Sequence, residues 1–341
     1  MVSHKSYKCL FISESNVVNV NMGIWKLRLS MAGTLAIIFG LSTLVFAVLL
    51  SFAGIFDFVT LGVIVVAINI AQWLFSPYIV DAFYKVKALP EDENPKLHQT
   101  VTELSRKSGI SKPKLMISKI PLPNAFAYGS PITGNRVAVT EGLLKSLDEG
   151  EVEAVVGHEL GHLKHRDVQT MMVVSFLPAL FYYIGFSFMW SGNSRDRNGN
   201  GNTALFGIAF MGFSWVLNLF ILHLSRVREY YADRHSVSVV ENGAQKLSTG
   251  LARIVHTTHN ATRGQKQNPK EKQNLNAFKA LFIADPDKAA ADSAALTAEV
   301  SSQNLVKEIL SKEPTLTDKI IEALSTHPNI VKRLRALQEL S

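Results

Sequence analysis

The chain has 341 residues, 47% of them hydrophobic and 18% charged, with a mean hydropathy of +0.14, which is apolar and poor in charge for a soluble chain of this length. A single cysteine, Cys9, excludes both an internal disulfide and a metal site built from several thiolates. The net charge of +7 comes with no nucleic-acid-binding motif, so the basic excess is assigned to membrane topology, and no nucleic-acid partner is expected.

Residues 1–28 read as an N-terminal tail carrying Lys5, Lys8, Lys26 and Arg28. The first 21 lack the apolar core and small-residue cleavage site of a signal peptide. They read either as a start-site extension ahead of Met22 or as a flexible tail. Leu29 to Phe56 and Phe58 to Val80 then run without a charge, and so does Val168 to Ser194, while Asn198 to Ser225 contains only His223 as a titratable group. Each run exceeds the roughly 20 apolar residues that a spanning helix needs. Four transmembrane helices are expected, two over 29–80 and two over 168–225. Core helices of a large soluble fold are the alternative, but these rarely run so long without charge.

Lysine and arginine in short loops mark the cytoplasmic side. Lys85 and Lys87 follow the second run, and Arg226 and Arg228 follow the fourth. This places both termini, and the segments 81–167 and 226–341, in the cytoplasm. The loop with Arg195 and Arg197 runs against the pattern.

Within 81–167 the apolar spacing of Leu97, Val101 and Leu104 predicts a helix stopped at Gly109. "KPKLMISKI" reads as a strand. "PLPNAFAYGSPITGNRVAVT" reads as two short strands joined by a Pro/Gly turn, and "GLLKSL" as a short helix. Asp148 and Glu151 form a capping-box start for the helix that carries "VVGHELGHLKHRD". That helix is expected to continue into the third span. Beyond the fourth span, "SRVREYYADRHSVSVVENGAQKLSTGLARIVHTT" reads as one or two helices. "HNATRGQKQNPKEKQN", from His259, reads as a loop, "ADPDKAAADSAALTAEVSSQ" as a variable stretch, and "STHPNIVKRLRALQEL" as a closing helix.

His158 and His162 stand four apart, on one face of a helix and one turn from each other, so both imidazoles can reach one ion. Glu159, beside the first, is placed to address a water on that ion. His165 lies near the same face, but the His-x-x-Gly-x-x-His continuation fails, because His165 and Val168 stand at its Gly and His positions. A carboxylate from elsewhere is therefore expected as third ligand. "SRVREYYADRH" supplies Glu229, with Asp233 one turn on to accept the free N–H of a ligating histidine. These two acids could instead be helix-surface partners of Arg226, Arg228 or Arg234. Topology favours ligation: two spans fit between His162 and Glu229 and return the chain to the same side. Three functions stay in play: a membrane zinc endopeptidase, a non-proteolytic zinc-binding membrane scaffold, and a transporter or structural protein with a chance motif.

"GHELGH", "SRVREYYAD" and a late "STHP" after four apolar runs together resemble the HtpX heat-shock membrane metalloproteases. These belong to the wider group that includes the eukaryotic CAAX prenyl protease. The resemblance covers residues 22 to 341. It implies a mainly α membrane protein, with four transmembrane helices and a cytoplasmic zincin-like α+β metalloprotease domain. It implies a multi-pass, zinc-dependent endopeptidase, acting in stress response and protein quality control on misfolded or damaged membrane proteins in the lipid bilayer. One Zn2+ would sit on His158, His162 and Glu229, with Glu159 as catalytic base and Asp233 behind the ligands. Asn124, Ala125, Phe126 and Ala127 match the family's substrate-side strand. His327 and Arg333 match its late motif, where they could stabilise a developing oxyanion. No residue pattern fixes an oligomeric state.

Overall fold

The structure, a computed structural model, describes residues 58–191, 202–265, 302–313 and 315–341. The N-terminal tail, the first expected span at 29–56, the loop with Arg195 and Arg197, and most of the 266–303 stretch lie outside the described residues.

Mostly helical, the chain carries one small mixed sheet. Helix α1 (Phe58–Phe83) leads into strand β1 (Val86–Ala88), which sequence periodicity did not reveal because it is three residues long. Helix α2 (Pro95–Ser108) starts at Asn94, whose side chain accepts from the Leu97 amide, and ends at Gly109 in the left-handed region. Strands β2 (Lys114–Ser118), β3 (Ala125–Ser130) and β4 (Gly134–Thr140) complete a sheet of order β1-β2-β4-β3. β2 and β4 are parallel and the other two pairings are antiparallel, which leaves β3 at an edge.

The approach to β3 is clamped. Thr140 caps helix α3 (Glu141–Ser146) by accepting from the Leu143 amide. Its hydroxyl also donates to the Leu122 carbonyl at 2.7 Å and accepts from the Asn124 amide at 2.9 Å. At Gly142 a Cβ would sit 2.1 Å from the Pro121 carbonyl oxygen, so only glycine lets this loop lie on the helix.

Helix α4 (Glu149–Lys164) begins with the complete capping box of Asp148 and Glu151 and is buried from Glu151 to Leu163 apart from Glu153. It does not continue into the next apolar segment. His165 ends it, and Arg166 takes a φ of 54°. That left-handed residue turns the chain before helix α5 (Asp167–Ser191) begins. Helix α6 (Asn202–Val239) then runs unbroken for 38 residues, through the point between 225 and 226 where a domain boundary was expected. Helix α7 (Gly243–Gln265) absorbs the first residues of the loop expected from His259. The apolar face carried by Leu247, Leu251, Ile254 and Val255 extends that helix past the polar composition. Helices α8 (Ser302–Leu310), α9 (Leu316–Ala323) and α10 (Ile330–Gln338) close the chain.

One core joins α2, the sheet, α4, α7, α8 and α10 through Val101, Val137, Leu160, Leu251, Ile309 and Leu334. Among the described residues one helix, Ala204–Val239, is long and apolar enough to cross a membrane, and only 17% of its most apolar stretch is buried. Helices α1 and α5 occupy the positions expected for the second and third spans, and α5 packs along α6.

Candidate active site

The site forms where α4 lies antiparallel against the C-terminal half of α6. Two small-residue rows make the approach possible. A Cβ on Gly161 would be 3.0 Å from Ala232 Cα, and one on Gly157 would be 3.2 Å from Ser236 Oγ. Each glycine precedes a histidine, so the seam that brings the helices together also turns the two imidazoles toward α6. Glu229 and Asp233, one turn apart on α6, face them.

The four side chains interlock. His158 Nδ1 is 2.9 Å from Asp233 Oδ1. His162 Nδ1 is 2.5 Å from Asp167 Oδ2. Since each carboxylate accepts an N–H, both protons belong on Nδ1. The two Nε2 atoms then carry lone pairs, yet they lie only 3.2 Å apart. Glu229 adds two more acceptors, its oxygens 3.5 Å from His158 Nε2 and 3.6 Å from His162 Nε2. His158, His162 and Glu229 thus bring potential ligand atoms within 4.8 Å of one another, all buried, with Arg333 Nη2 3.2 Å from His158 Nε2 at the margin. That arrangement could hold a metal ion.

The carboxylates of Glu159, Asp167, Glu229 and Asp233 are buried beside the guanidiniums of Arg228 and Arg333. Arg333 grips Asp233 through Nε and Nη2, both at 2.6 Å, and approaches Glu229 at 3.3 Å. Arg228 lies 3.4 Å from Glu229 and 3.8 Å from Asp167.

Glu159 is buried, and one of its oxygens accepts from the Ala127 amide at 2.8 Å. Burial lifts its carboxyl from the ordinary range to about 7. The same hydrogen bond ties α4 to β3. The Asn124 carbonyl accepts from the Thr140 amide and the Asn124 amide donates to the Thr140 hydroxyl, so by strand alternation Ala125 and Ala127 turn their amides and carbonyls away from β4; Ala125 is fully buried and the Ala127 amide is taken by Glu159. Phe126 is a core residue, its ring 5.4 Å from that of Tyr84 and 5.5 Å from that of Tyr128.

His327 sits just before α10 with Nδ1 3.4 Å from Glu229 Oε2. That nitrogen is buried and has no hydrogen bond among the described residues. His165 is exposed and turns its ring toward those of Tyr231 and His235, both at 6.1 Å. Two further residues border the site. Asp167, at the edge of a charge-free run and five positions after His162, carries no sequence signal as its partner. Arg228 reads by sequence as a topology charge or as a partner of Glu229, and the second pairing is present.

Comparison with known proteins agrees with this geometry. The family model for peptidase family M48 matches residues 91–341. A "Protease HtpX homolog" from Thermoplasma acidophilum is 36% identical over 282 residues, covering 81% of this chain and 84% of that protein. One from Saccharolobus islandicus is 36% identical over 342 residues, covering 94% and 99%. The crystal structure of S. mikatae Ste24p shares the fold at a TM-score of 0.50 and 17% identity, covering 95% of this chain and 66% of that one. With three quarters of its residues matched and relatives of this similarity along most of its length, the chain belongs to peptidase family M48.

Proposed function

We propose that the chain is a zinc-dependent endopeptidase of a membrane, hydrolysing peptide bonds of misfolded or damaged membrane proteins with Glu159 as general base. The observation that carries this reading is the pair of imidazole Nε2 atoms, 3.2 Å apart, both turned to Glu229 and each ring held at Nδ1 by a carboxylate behind it. His158, His162 and Glu229 would hold the ion. His and carboxylate donors in this number suit catalytic zinc. Bound there, zinc supplies Lewis-acid polarisation and lowers the pKa of water toward about 7.

The chain's own residues do the rest. Glu159 takes a proton from the attacking water and passes it to the leaving nitrogen. The Ala127 amide holds that carboxylate in place. An extended peptide pairs with β3 through the main-chain carbonyl of Ala127, whose amide stays with Glu159, while buried Asn124, Ala125 and Phe126 anchor the strand from behind. His327 supplies a donor for the developing oxyanion. Arg333 acts as a positioning residue, because its guanidinium is committed to Asp233 and Glu229.

Membrane placement rests on α6 and on the charge-free runs. Seven large apolar side chains of α6, from Leu205 to Phe220, are exposed, as lipid-facing residues would be. The lysines and arginines flanking the apolar runs support a multi-pass protein with its protease domain on the cytoplasmic side.

Replacing Glu159 by Gln and measuring zinc content beside cleavage of a membrane substrate tests the reading. Zinc should stay and cleavage should fall below detection. Full cleavage by the variant would overturn it. Glu229→Ala should lose zinc; unchanged affinity would remove Glu229 from the ligand set.

A further inference from the structure

Helix α9 is built inside out. Its acid Glu322 is buried against the protein, where one carboxylate oxygen accepts from the Asn329 amide at 3.3 Å and the other meets Lys332 Nζ at 2.5 Å. Its apolar residues point away. Leu316 is 78% exposed, Ile320 63%, Leu324 59% and Ile321 44%. Spaced at i, i+4, i+5 and i+8, they form one stripe. A helix at a water-facing surface turns the opposite face outward.

The place of α9 says what covers that stripe. Arg226 of α6 reaches its C-terminal end, with Nη1 2.7, 3.0 and 2.8 Å from the carbonyl oxygens of Glu322, Ala323 and Ser325. They line the C-terminal end of the helix and the turn that follows it, where a cation suits the helix dipole. Arg226 is the first charged residue after the long apolar stretch of α6, with exposed Phe213, Trp215, Val216 and Phe220 on the preceding turns. The end of α9 is therefore held at the level where α6 passes from apolar to charged sequence.

We propose that α9 lies in the plane of the membrane interface, with Leu316, Ile320, Ile321 and Leu324 immersed in the acyl boundary of the bilayer that α6 crosses. The proposal rests on the membrane placement given above. Exposed Lys319, on the flank of the stripe, then extends toward the headgroups. One consequence concerns the site. Ser325 and Thr326 alone separate Leu324 from His327, whose Nδ1 is 3.4 Å from Glu229. Seating α9 in lipid fixes the segment that delivers His327, and brings the β3 edge and the metal ligands close to substrates that emerge from the bilayer.

The test uses the full-length protein with Cys9→Ser, reconstituted in phosphatidylcholine/phosphatidylglycerol vesicles. Single cysteines at Ile320, at Leu316 and, as a water-facing control, at Lys145 receive a nitroxide label. Collision with oxygen and with a neutral nickel chelate is then measured. The labels at Ile320 and Leu316 should favour oxygen over the chelate by severalfold, and the label at Lys145 should favour the chelate. Equal access of the chelate at Ile320 and Lys145 would overturn the proposal. So would a label at Ile320 shielded from both reagents, which would mean that protein covers the stripe. Parallel nitroxides at Phe213 and Trp215 report whether α6 itself is in lipid. A lipid-facing α6 beside a water-facing Ile320 would defeat this inference alone. Water access at all four positions would defeat the membrane placement.

Discussion

The glycine seam between α4 and α6 makes a quantitative demand. An alanine methyl at Gly161 would stand 3.0 Å from Ala232 Cα, 3.1 Å from His235 Cβ and 3.3 Å from His235 Cδ2. Two of these atoms belong to backbone or to the root of a side chain, so they cannot swing aside. Ordinary carbon contacts need about 3.7 Å, and relief therefore requires α6 to move by about 0.7 Å. Overpacking of this kind costs about 1–3 kcal/mol of stability. The site is the more sensitive reporter, because ligand distances tolerate only about 0.2 Å and Glu229 rides on the displaced helix. Gly161→Ala should lower zinc affinity about ten- to a hundredfold, measured by competition with a chromophoric chelator, while the variant still unfolds cooperatively. Gly150→Ala serves as the control, since its methyl would meet the flexible end of Lys246 at 3.2 Å and make an ordinary contact with Asp148 Oδ1 at 3.6 Å, and it should leave affinity unchanged. Wild-type zinc affinity in Gly161→Ala would refute the idea that close helix approach sets the ligand geometry.

Three further outcomes follow from the site. Asp167→Asn weakens the acceptor behind His162 and should cost about ten- to a hundredfold in zinc affinity, with cobalt-substituted protein showing a changed visible spectrum; an unaltered spectrum and affinity would remove Asp167 from the ligand support. In the metal-free protein the raised Glu159 carboxyl, at about 7 against an ordinary 4.5, binds its proton more tightly folded than unfolded. Stability should then fall by about 3 kcal/mol as pH rises from below 4.5 through 7, and Glu159→Gln should flatten that part of the denaturant-unfolding profile; parallel profiles would contradict the burial argument. Ala127→Pro, on an edge strand that tolerates proline, removes the amide that holds Glu159 and should lower kcat/KM about tenfold or more at unchanged zinc content. Equal activity would show that Glu159 needs no such support.

What the sequence determined by itself is local chemistry. The i, i+4 pair of His158 and His162, the capping box of Asp148 and Glu151, and the charge-free runs each depend on neighbours along the chain, where spacing translates directly into geometry. Glu229 and Asp233 were within reach for the same reason, as an i, i+4 pair awaiting a partner helix. Only the tertiary structure decided the rest. Asp167 reaches His162 because Arg166 adopts a left-handed backbone that turns the chain between two helices, and composition gave no sign of that turn. Arg333 was legible as a donor but not as the clamp on Asp233, a pairing across 100 residues. The outward apolar face of α9 was equally silent, since amphipathic spacing states that a helix has two faces and leaves to packing which of them meets the protein.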